Sequence, residues 1–185
     1  MRLADKLDSI TIDDIAKIDL NNLNFVSRNA GLQKHIDGMP GQEHYRLLCY
    51  LSTWYDQQRL YDIGTYLGGS ALSLAYTKSN LVVSYDIEYQ VDLRRQPNIE
   101  FRVGDFFNDP TMLSSPLLFV DVTHDGALEQ KILNHLISNN YKGLTVWDDI
   151  HLNTPMERFW SGVKQEKRDL SKLGHWSGTG AIIFE

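Results

Sequence analysis

Short apolar runs alternate with longer stretches of helical spacing through most of this chain. Compact runs of this kind predict buried strands, and their alternation with helices favours a parallel sheet with right-handed crossovers and helices on both faces. The runs that predict strands are 60–63, 81–85, 99–103, 117–121, 143–148 and 181–184. The pattern therefore predicts an α/β fold, a single-domain Rossmann-like arrangement in its main part.

Helical spacing of apolar residues precedes the first predicted strand at 42–58 and recurs between two later strands at 128–137. Thr154, with Pro155 at the first helical position and Glu157 after it, predicts the start of another helix with Thr154 as its N-cap. His44, near the start of the 42–58 helix, faces either a ligand or the surface.

The N-terminal segment has weaker patterns. Short helices are predicted around Leu3 and Leu7 and over 10–18, with Thr11 as the N-cap of the second. Irregular chain is expected where Asn21, Asn22, Asn24, Asn29 and Gly31 cluster, and a turn at 38–41. We expect 1–41 to form a helical cover over a ligand cleft and 42–185 to form the main part of one domain.

The first predicted strand runs into a glycine-rich turn, Asp62-Ile-Gly-Thr-Tyr-Leu-Gly-Gly-Ser-Ala71, and then into a helix. Such a turn lets backbone N–H groups and a helix N-terminus approach a ligand closely. Asp86 ends the next apolar run, near the ~20-residue offset at which an acid binds ribose in nucleotide-binding units. Tyr66 stands where the dinucleotide fingerprint needs glycine, which disfavours an NAD-dependent oxidoreductase. The alternative is a glycine-rich turn of any α/β fold.

Acidic residues follow the predicted strands and should meet at one edge of the sheet, since parallel strands deliver their carboxyl ends to the same side. They are Asp86, Asp105, Asp121, Asp148 and Asp149. Three carboxylates at two neighbouring strand ends, Asp121 and Asp148-Asp149, suit Mg²⁺ or Ca²⁺ better than zinc. Alternatively, Asp148-Asp149 are turn or cap residues, and Thr123 or Asp125 caps the helix that begins near Gly126, with His124 a bystander.

The segment 62–71 resembles the first motif of class I S-adenosylmethionine-dependent methyltransferases, and is most similar to the catechol O-methyltransferase branch. The resemblance covers the chain from about residue 42 to its end and implies a mostly parallel sheet with an antiparallel C-terminal strand. The residues that it implies for S-adenosylmethionine are Asp62, Gly64, Gly68 and Ser70 around the methionine part, Asp86 at the ribose, and Asp105 with Phe106 at the adenine. Tyr66 and Asp121 are implied as further cofactor contacts. For Asp105, a plain Gly-Asp turn is the alternative.

The same branch carries divalent-metal ligands at the positions of Asp121, Asp148 and Asp149. Where catechol O-methyltransferases place a lysine base, this chain has His124, as do macrolide-sugar O-methyltransferases. The resemblance thus implies a Mg²⁺-dependent O-methyltransferase of a small hydroxylated acceptor, a sugar being one candidate, with His124 and Asp121 catalytic and His151 a fallback base. A metal-independent N- or O-methyltransferase and a non-catalytic cofactor-binding module are alternatives.

Composition and charge restrict the partners and the cellular compartment that we expect. A net charge of −6 argues against a nucleic-acid partner, and the Arg94-Arg95 pair fits a solvated loop better than a phosphate clamp. The single cysteine, Cys49, excludes an intrachain disulfide and fits a reducing compartment as a buried residue. Without a membrane-length apolar run or a signal peptide, we expect a cytoplasmic protein with no membrane partner. A homodimer is compatible with the sequence, which does not name the methyl acceptor.

Overall fold

A computed structural model describes residues 1–23, 25, 30–92 and 96–185, with only the backbone described at 39–41. Asn24, Asn29 and the Arg94-Arg95 pair, all named in the predictions above, lie outside these residues. Across the described ranges, no helix combines the length and apolar character needed to cross a bilayer.

Seven α-helices are described, with three 3₁₀ turns between them. The helices are α1 Leu3–Asp8, α2 Ile12–Ala16, α3 Ala30–Asp37, α4 Met39–Ser52, α5 Gly69–Leu74, α6 Ala127–Ser138 and α7 Thr154–Gly162. The 3₁₀ turns cover Leu20–Leu23, Phe106–Asn108 and Pro110–Ser114. Most α-helices therefore fall where helical spacing predicts them.

One sheet of seven strands forms the centre of the described structure. The strands are β1 Arg59–Ile63, β2 Leu81–Asp86, β3 Ile99–Val103, β4 Leu117–Val120, β5 Gly143–Asp148, β6 Glu166–Asp169 and β7 Thr179–Phe184. Their order is β3-β2-β1-β4-β5-β7-β6. Strands β1 to β5 pair in parallel, and β7 pairs antiparallel with both β5 and β6. The predicted mostly parallel sheet with an antiparallel C-terminal strand is confirmed.

Both faces of the sheet are buried, which is why its central strands read as continuous apolar runs. Tyr61 and Trp147 point into a core that includes residues of α6 and α7. Leu60 and Phe119 point into a second core, built with residues of α1, α4 and α5. Cys49 is buried, as the sequence predicts.

The N-terminal predictions are partly confirmed. Both short helices form, and Thr11 caps α2 in a reciprocal pair with Asp14. The predicted turn at 38–41 is wrong: α4 begins at Met39, because a proline in the first turn of a helix loses no hydrogen bond. The helix also ends at Ser52 rather than near residue 58. Gly31 lies in α3, not in irregular chain.

Of two helix caps predicted at the carboxyl edge, the one for α7 is wrong, and the alternative that gives Asp125 as the cap of α6 is confirmed. Asn153, not Thr154, caps α7: its Oδ1 accepts from the Met156 N–H at 3.0 Å. Asp125 caps the start of α6, where its Oδ1 accepts from the N–H groups of Ala127 and Leu128 at 2.8 and 3.1 Å. Asp148 and Asp149 are therefore not needed as caps for α7.

Candidate active site

Two neighbouring cavities open at the carboxyl edge of the parallel strands. The first, which we call the β2 cavity, has a volume of about 630 Å³ and is lined by residues that follow β1 to β4. The second, the β5 cavity, has a volume of about 360 Å³ and is lined by α3, α4, the glycine turn, the end of β5 and the loop before β7. Asp121 lines both cavities, so it marks the point where they meet.

The glycine turn after β1 lies directly against the end of β4. Gly64 has a φ of +92°, and a Cβ there would sit 1.5 Å from the carbonyl oxygen of Asp121. Gly68, with a φ of +93°, is the N-cap residue of α5. Because only glycine allows this approach, the turn and Asp121 share one edge, as the sequence predicts.

Asp86 lies on the wall of the β2 cavity and also fastens the glycine turn. Its Oδ2 accepts from the backbone N–H of Tyr66 at 2.8 Å, and its Oδ1 accepts from the N–H of Ile87 at 2.7 Å. Tyr66 itself has a φ of +45°. A carboxylate oxygen can accept more than one hydrogen bond, so Asp86 keeps capacity for a ligand hydroxyl.

Asp105 and Phe106 line the same cavity. The Oδ1 of Asp105 accepts from the Phe107 N–H at 3.0 Å and caps a 3₁₀ turn. This contact matches the alternative in which Asp105 belongs to a plain Gly-Asp turn. Because Asp105 also lines the cavity, its predicted contact with adenine stays a prediction. Phe106 is nearly buried and packs its ring 4.4 Å from that of Phe107, measured between centroids.

Two further predicted cofactor residues lie outside the β2 cavity. Asp62 is fully buried, and its Oδ2 accepts from the hydroxyl of Ser84 at 2.7 Å. Burial raises the pKa of Asp62 to about 6. Its Oδ1 has no hydrogen-bond partner among the described residues. Ser70 lines the β5 cavity from α5, so the predicted methionine contacts are divided between buried support and the neighbouring cavity.

His124 stands between two of the predicted carboxylates. Its Nε2 is 3.0 Å from Oδ1 of Asp121 and 3.4 Å from Oδ2 of Asp149. The Asp121 carboxylate raises the pKa of His124 to about 9. Burial, reinforced by the carboxylate of Asp148, raises the pKa of Asp121. His124 is thus a member of the acidic cluster rather than a bystander of a helix cap.

The backbone of His124 is held on both sides. Its N–H donates to Oε1 of Glu129 at 2.8 Å, and its carbonyl accepts from Nδ2 of Asn153 at 3.0 Å. The φ of His124 is +54°, a conformation that side-chain-bearing residues adopt only when their surroundings impose it. Asp149 shares this feature with a φ of +58°. The backbone therefore fixes the positions of His124 and Asp149 relative to each other.

Asp148 lies next to Asp121 and His124 and also contacts two other histidines. Its Oδ1 is 2.7 Å from Nε2 of His175 and 3.6 Å from Nδ1 of His44. Although burial opposes ionisation, His44 and His175 hold the pKa of Asp148 below its ordinary value. His44 is 7% exposed, so the surface alternative for this residue is wrong. Burial lowers the pKa of the His44 imidazole.

Two groups at this edge have ligand atoms that all lie within 4.8 Å of one another: Asp121 with His124 and Asp148, and His44 with Asp148 and His175. The predicted set Asp121, Asp148 and Asp149 does not meet that distance as a group within the described ranges. His151 pairs with Asp169 on β6 at 2.8 Å, and neither of the two described cavities includes it in its wall.

Sequence reasoning left the place of His44 open between a ligand and the surface, and it missed the position of His175 beside Asp148. A signal for His175 was present, because an antiparallel last strand starts at the edge where its parallel neighbour ends. Thr179, the first residue of β7, pairs with Asp148, so the loop before it must lie beside that carboxylate. His44 carries no such signal, since its position depends on how α4 packs.

Comparison with known proteins gives relatives by structure only. No family model matches the chain, and no curated protein sequence matches it. The O-methyltransferase from Bacillus cereus in complex with SAH is similar at a TM-score of 0.60 and 15% identity, over 93% of this chain and 94% of that one. The O-methyltransferase TomG from Streptomyces achromogenes, involved in tomaymycin synthesis and solved with SAM, is similar at a TM-score of 0.57 and 16% identity, over 100% of both chains.

An N-methyltransferase, NodS from Bradyrhizobium japonicum WM9, is similar at a TM-score of 0.54 and 14% identity, over 80% of this chain and 97% of that one. At these identities the likeness concerns the fold, and it spans at least 80% of this chain and at least 94% of each of the three others. The class I methyltransferase fold predicted from the sequence is confirmed.

Proposed function

We propose that this chain is an S-adenosylmethionine-dependent O-methyltransferase that acts on a hydroxyl of a small molecule and uses a hard divalent cation, Mg²⁺ being the first candidate. The observation that carries the proposal is the meeting of two cavities at Asp121: a large one behind the glycine turn and a smaller one beside a cluster of carboxylates and histidines. Methyl transfer requires such an arrangement, because donor and acceptor must lie in line at a shared boundary.

The β2 cavity fits a nucleoside-bearing cofactor. Its volume, about 630 Å³, is within the range of ligand pockets. Its wall is mainly apolar, with Phe106 and Leu128, and carries Asp86 where ribose hydroxyls need an acceptor. A Cβ built on Gly104 would meet no described atom within 4 Å, so glycine keeps that part of the wall clear. When bound, S-adenosylmethionine supplies a methyl group on a positively charged sulfur.

The carboxylates beside the β5 cavity fit a hard divalent cation in their donor chemistry. Asp121 and Asp148, whose ligand atoms lie within 4.8 Å of each other and of His124, would hold it, with Asp149 on the other side of His124. When bound, such a cation would supply a Lewis acid that lowers the pKa of an acceptor hydroxyl. Electrostatics supports a cation at this place. Several acidic groups lie together where they are largely buried, and uncompensated negative charge is costly there.

His124 would take the proton of the acceptor hydroxyl at Nε2. Its Nε2 is buried beside Asp121, which lines both cavities, whereas His124 itself lies behind their described walls. The neighbouring carboxylates keep the imidazole protonated at neutral pH through its raised pKa. His124 therefore accepts a proton only when those carboxylates are neutralised in another way. Glu129 and Asn153 hold the backbone of His124 and so keep its ring beside Asp121.

The β5 cavity would receive the acceptor. Two exposed aromatic side chains line it, Trp176 at 75% and Tyr66 at 53% exposure. Exposed aromatic faces suit a compact molecule with both apolar and hydroxyl groups, such as a sugar. Leu32 and His35 of α3 add to the same wall, which supports the proposal that residues 1–41 act as a cover.

A metal-independent methyltransferase is a second candidate, and one observation favours it. His124 already approaches both Asp121 and Asp149, so an imidazolium can compensate these carboxylates without a cation. Turnover that persists unchanged in EDTA would select this candidate. Turnover lost in EDTA and restored by Mg²⁺ would select the first.

The proposal is tested by isothermal titration of the whole chain with S-adenosylhomocysteine, in wild type, Asp86→Asn and, as a matched carboxylate-to-amide control on the surface, Asp13→Asn. We expect binding in wild type and control and weaker binding in Asp86→Asn. Absence of binding at millimolar ligand would overturn the proposal. Binding without product on a panel of sugars and catechols would point to a cofactor-binding module instead.

A further inference from the structure

A cluster of two histidines and one aspartate lies beside the proposed methyl-transfer centre and has a different donor chemistry. Its members are His44 on α4, Asp148 at the end of β5 and His175 in the loop before β7. We propose that this cluster is a binding site for a borderline divalent metal ion, with Zn²⁺ as the representative probe. The inference does not rest on the proposed methyl transfer.

The geometry of the three side chains is that of a partly assembled coordination site. Oδ1 of Asp148 lies 2.7 Å from Nε2 of His175 and 3.6 Å from Nδ1 of His44. The two imidazole rings are 4.9 Å apart between centroids and nearly perpendicular, at 80°. All three ligand atoms lie within 4.8 Å of one another, so small adjustments would place each of them on one ion.

An independent observation is the state of His44. Its Nδ1 is buried and has no hydrogen-bond partner among the described residues. A polar nitrogen left in this state costs free energy. The ring is fixed by packing against Tyr45 and Phe119, each with its centroid 5.3 Å away. Nδ1 therefore stays directed at Asp148, and a metal ion would supply the missing partner.

His175 has the outer support that ligand histidines usually have. Its Nδ1 lies 2.6 Å from the hydroxyl of Ser177, which leaves Nε2 to face Asp148. Metal-binding histidines almost always use their second nitrogen in this way, which fixes ring orientation. Ser177 is buried at 3% exposure, so this contact is shielded from competing water.

Two imidazoles with one carboxylate select the kind of ion. Nitrogen ligands suit Zn²⁺ and neighbouring transition metals, whereas Mg²⁺ prefers oxygen ligands only. Three protein ligands also leave a coordination position open, and all three residues line the β5 cavity. The open position would therefore take an oxygen donor of a molecule in that cavity. Because Asp148 also belongs to the Asp121 group, ions at the two places compete for one carboxylate.

The test is isothermal titration of the metal-stripped whole chain with Zn²⁺, first without Mg²⁺ and then in an excess of Mg²⁺, which should weaken Zn²⁺ binding because the two ions compete for Asp148. We expect one Zn²⁺ per chain. His175→Gln removes a ligand from a half-exposed loop and should weaken binding by about 100-fold or more, and Ser177→Ala by about tenfold. His35→Ala, in the same cavity, and His151→Ala, at the exposed pair with Asp169, are matched controls that should leave the affinity unchanged.

Histidine side-chain nitrogen NMR of the wild type gives a readout that does not depend on any variant folding. Zn²⁺ should shift the resonances of Nδ1 of His44 and Nε2 of His175 to metal-bound positions. Absence of stoichiometric binding, an affinity that His175→Gln leaves intact, or loss of binding in His151→Ala would each overturn the proposal. Thermal melts of His175→Gln without metal must match wild type for its titration to be compared.

Discussion

The two sides of the carboxyl edge treat their acidic residues in opposite ways. Beside the β2 cavity, Asp86 and Asp105 accept hydrogen bonds from backbone N–H groups and hold their own loops in place. Beside the β5 cavity, Asp121 and Asp148 face histidine side chains, and His44 keeps a buried nitrogen without a partner among the described residues. The carboxylates beside the β2 cavity have their hydrogen-bond partners in the backbone. Those beside the β5 cavity depend on protons or cations to balance their charge.

This difference separates binding from chemistry. Carboxylates tied to backbone donors are organised before a ligand arrives, so they suit a nucleoside that must be bound in one orientation. Carboxylates paired with histidines change charge state with their surroundings, which suits proton transfer. Substitutions on the two sides should accordingly affect different measurements.

The largest effect is expected from His124→Ala. Loss of a positioned base lowers the rate of the catalysed step by about 10²–10⁴-fold. The affinity for S-adenosylhomocysteine should stay within threefold of wild type, because His124 is not on the wall of the β2 cavity. Single-turnover rates with titration of the same samples check this, with His151→Ala as the matched histidine control. A loss of cofactor affinity equal to the loss of rate would contradict the separation of the two sides.

Gly64→Ala should be the next largest and should damage both sides at once. The new methyl group would meet the carbonyl of Asp121, at a backbone conformation that disfavours side chains. We expect a loss in the free energy of unfolding of about 3 kcal/mol, from overpacking and a positive φ together. Urea unfolding measures it, with Gly162→Ala as control, since a Cβ there meets nothing within 4 Å.

A third prediction concerns acid. Asp109 accepts hydrogen bonds from Tyr61, Tyr85 and Arg102 at 2.7, 3.1 and 2.7 Å, and its pKa is lowered to about 2. Because the folded-state pKa is below the unfolded value, this carboxylate stabilises the fold above about pH 4 and loses that contribution as pH falls towards 2. The contribution is about 2 kcal/mol at neutral pH.

Unfolding of Asp109→Asn should accordingly show a lower free energy at pH 7 and a smaller change between pH 5 and pH 3 than wild type. The exposed carboxylate of Asp13 gives the control variant, Asp13→Asn. Equal pH dependence in wild type and Asp109→Asn would contradict this role for the Asp109 contacts.

Asp86→Asn should weaken S-adenosylhomocysteine binding by about tenfold, the size expected when one charge-assisted hydrogen bond is lost. The single-turnover rate at saturating cofactor should change less, since Asp86 lies on the β2 cavity. Titration and saturating kinetics on one preparation separate the two effects. An unchanged affinity would remove Asp86 from the cofactor site.

The smallest effect is expected from Trp176→Ala. Loss of an exposed aromatic face should raise the KM of the acceptor by about fivefold, or about 1 kcal/mol, with kcat nearly unchanged. Tyr89→Ala is the control, since that exposed aromatic residue lines neither described cavity. A fall in kcat without a change in KM would place Trp176 in the chemistry instead.

The sheet could be predicted from sequence where strands are buried on both faces, because such strands are apolar at most positions. The edge strand β6, Glu166–Asp169, has only charged residues and pairs with β7 alone, so its sequence gives no apolar signal. At the start of α7, the adjacent residues Asn153 and Thr154 are both good cap residues. The sequence therefore predicts a cap there without showing which of the two residues provides it.

The candidate site divides in the same way. Asp121 and Asp148 were placed at one edge by topology alone, since parallel strands end together. Which partner each carboxylate faces depends on tertiary packing: His124 is turned by a positive φ, and His44 arrives on a helix whose position no strand rule fixes. The sequence therefore predicts the edge of the sheet at which the acidic residues lie. The partner that each carboxylate contacts depends on tertiary packing.

The antiparallel direction of β7 also decides where a surface or a label can be attached without blocking the cavities. Phe184 pairs with Gly143 at the start of β5, so the strand runs away from both cavities. The Leu3 N–H donates to the Glu185 side chain at 3.3 Å, which brings the beginning of α1 to the same far edge. Surface immobilisation or a fluorescent label attached beside either residue would leave the cleft open, so ligand exchange can be followed on a tethered sample.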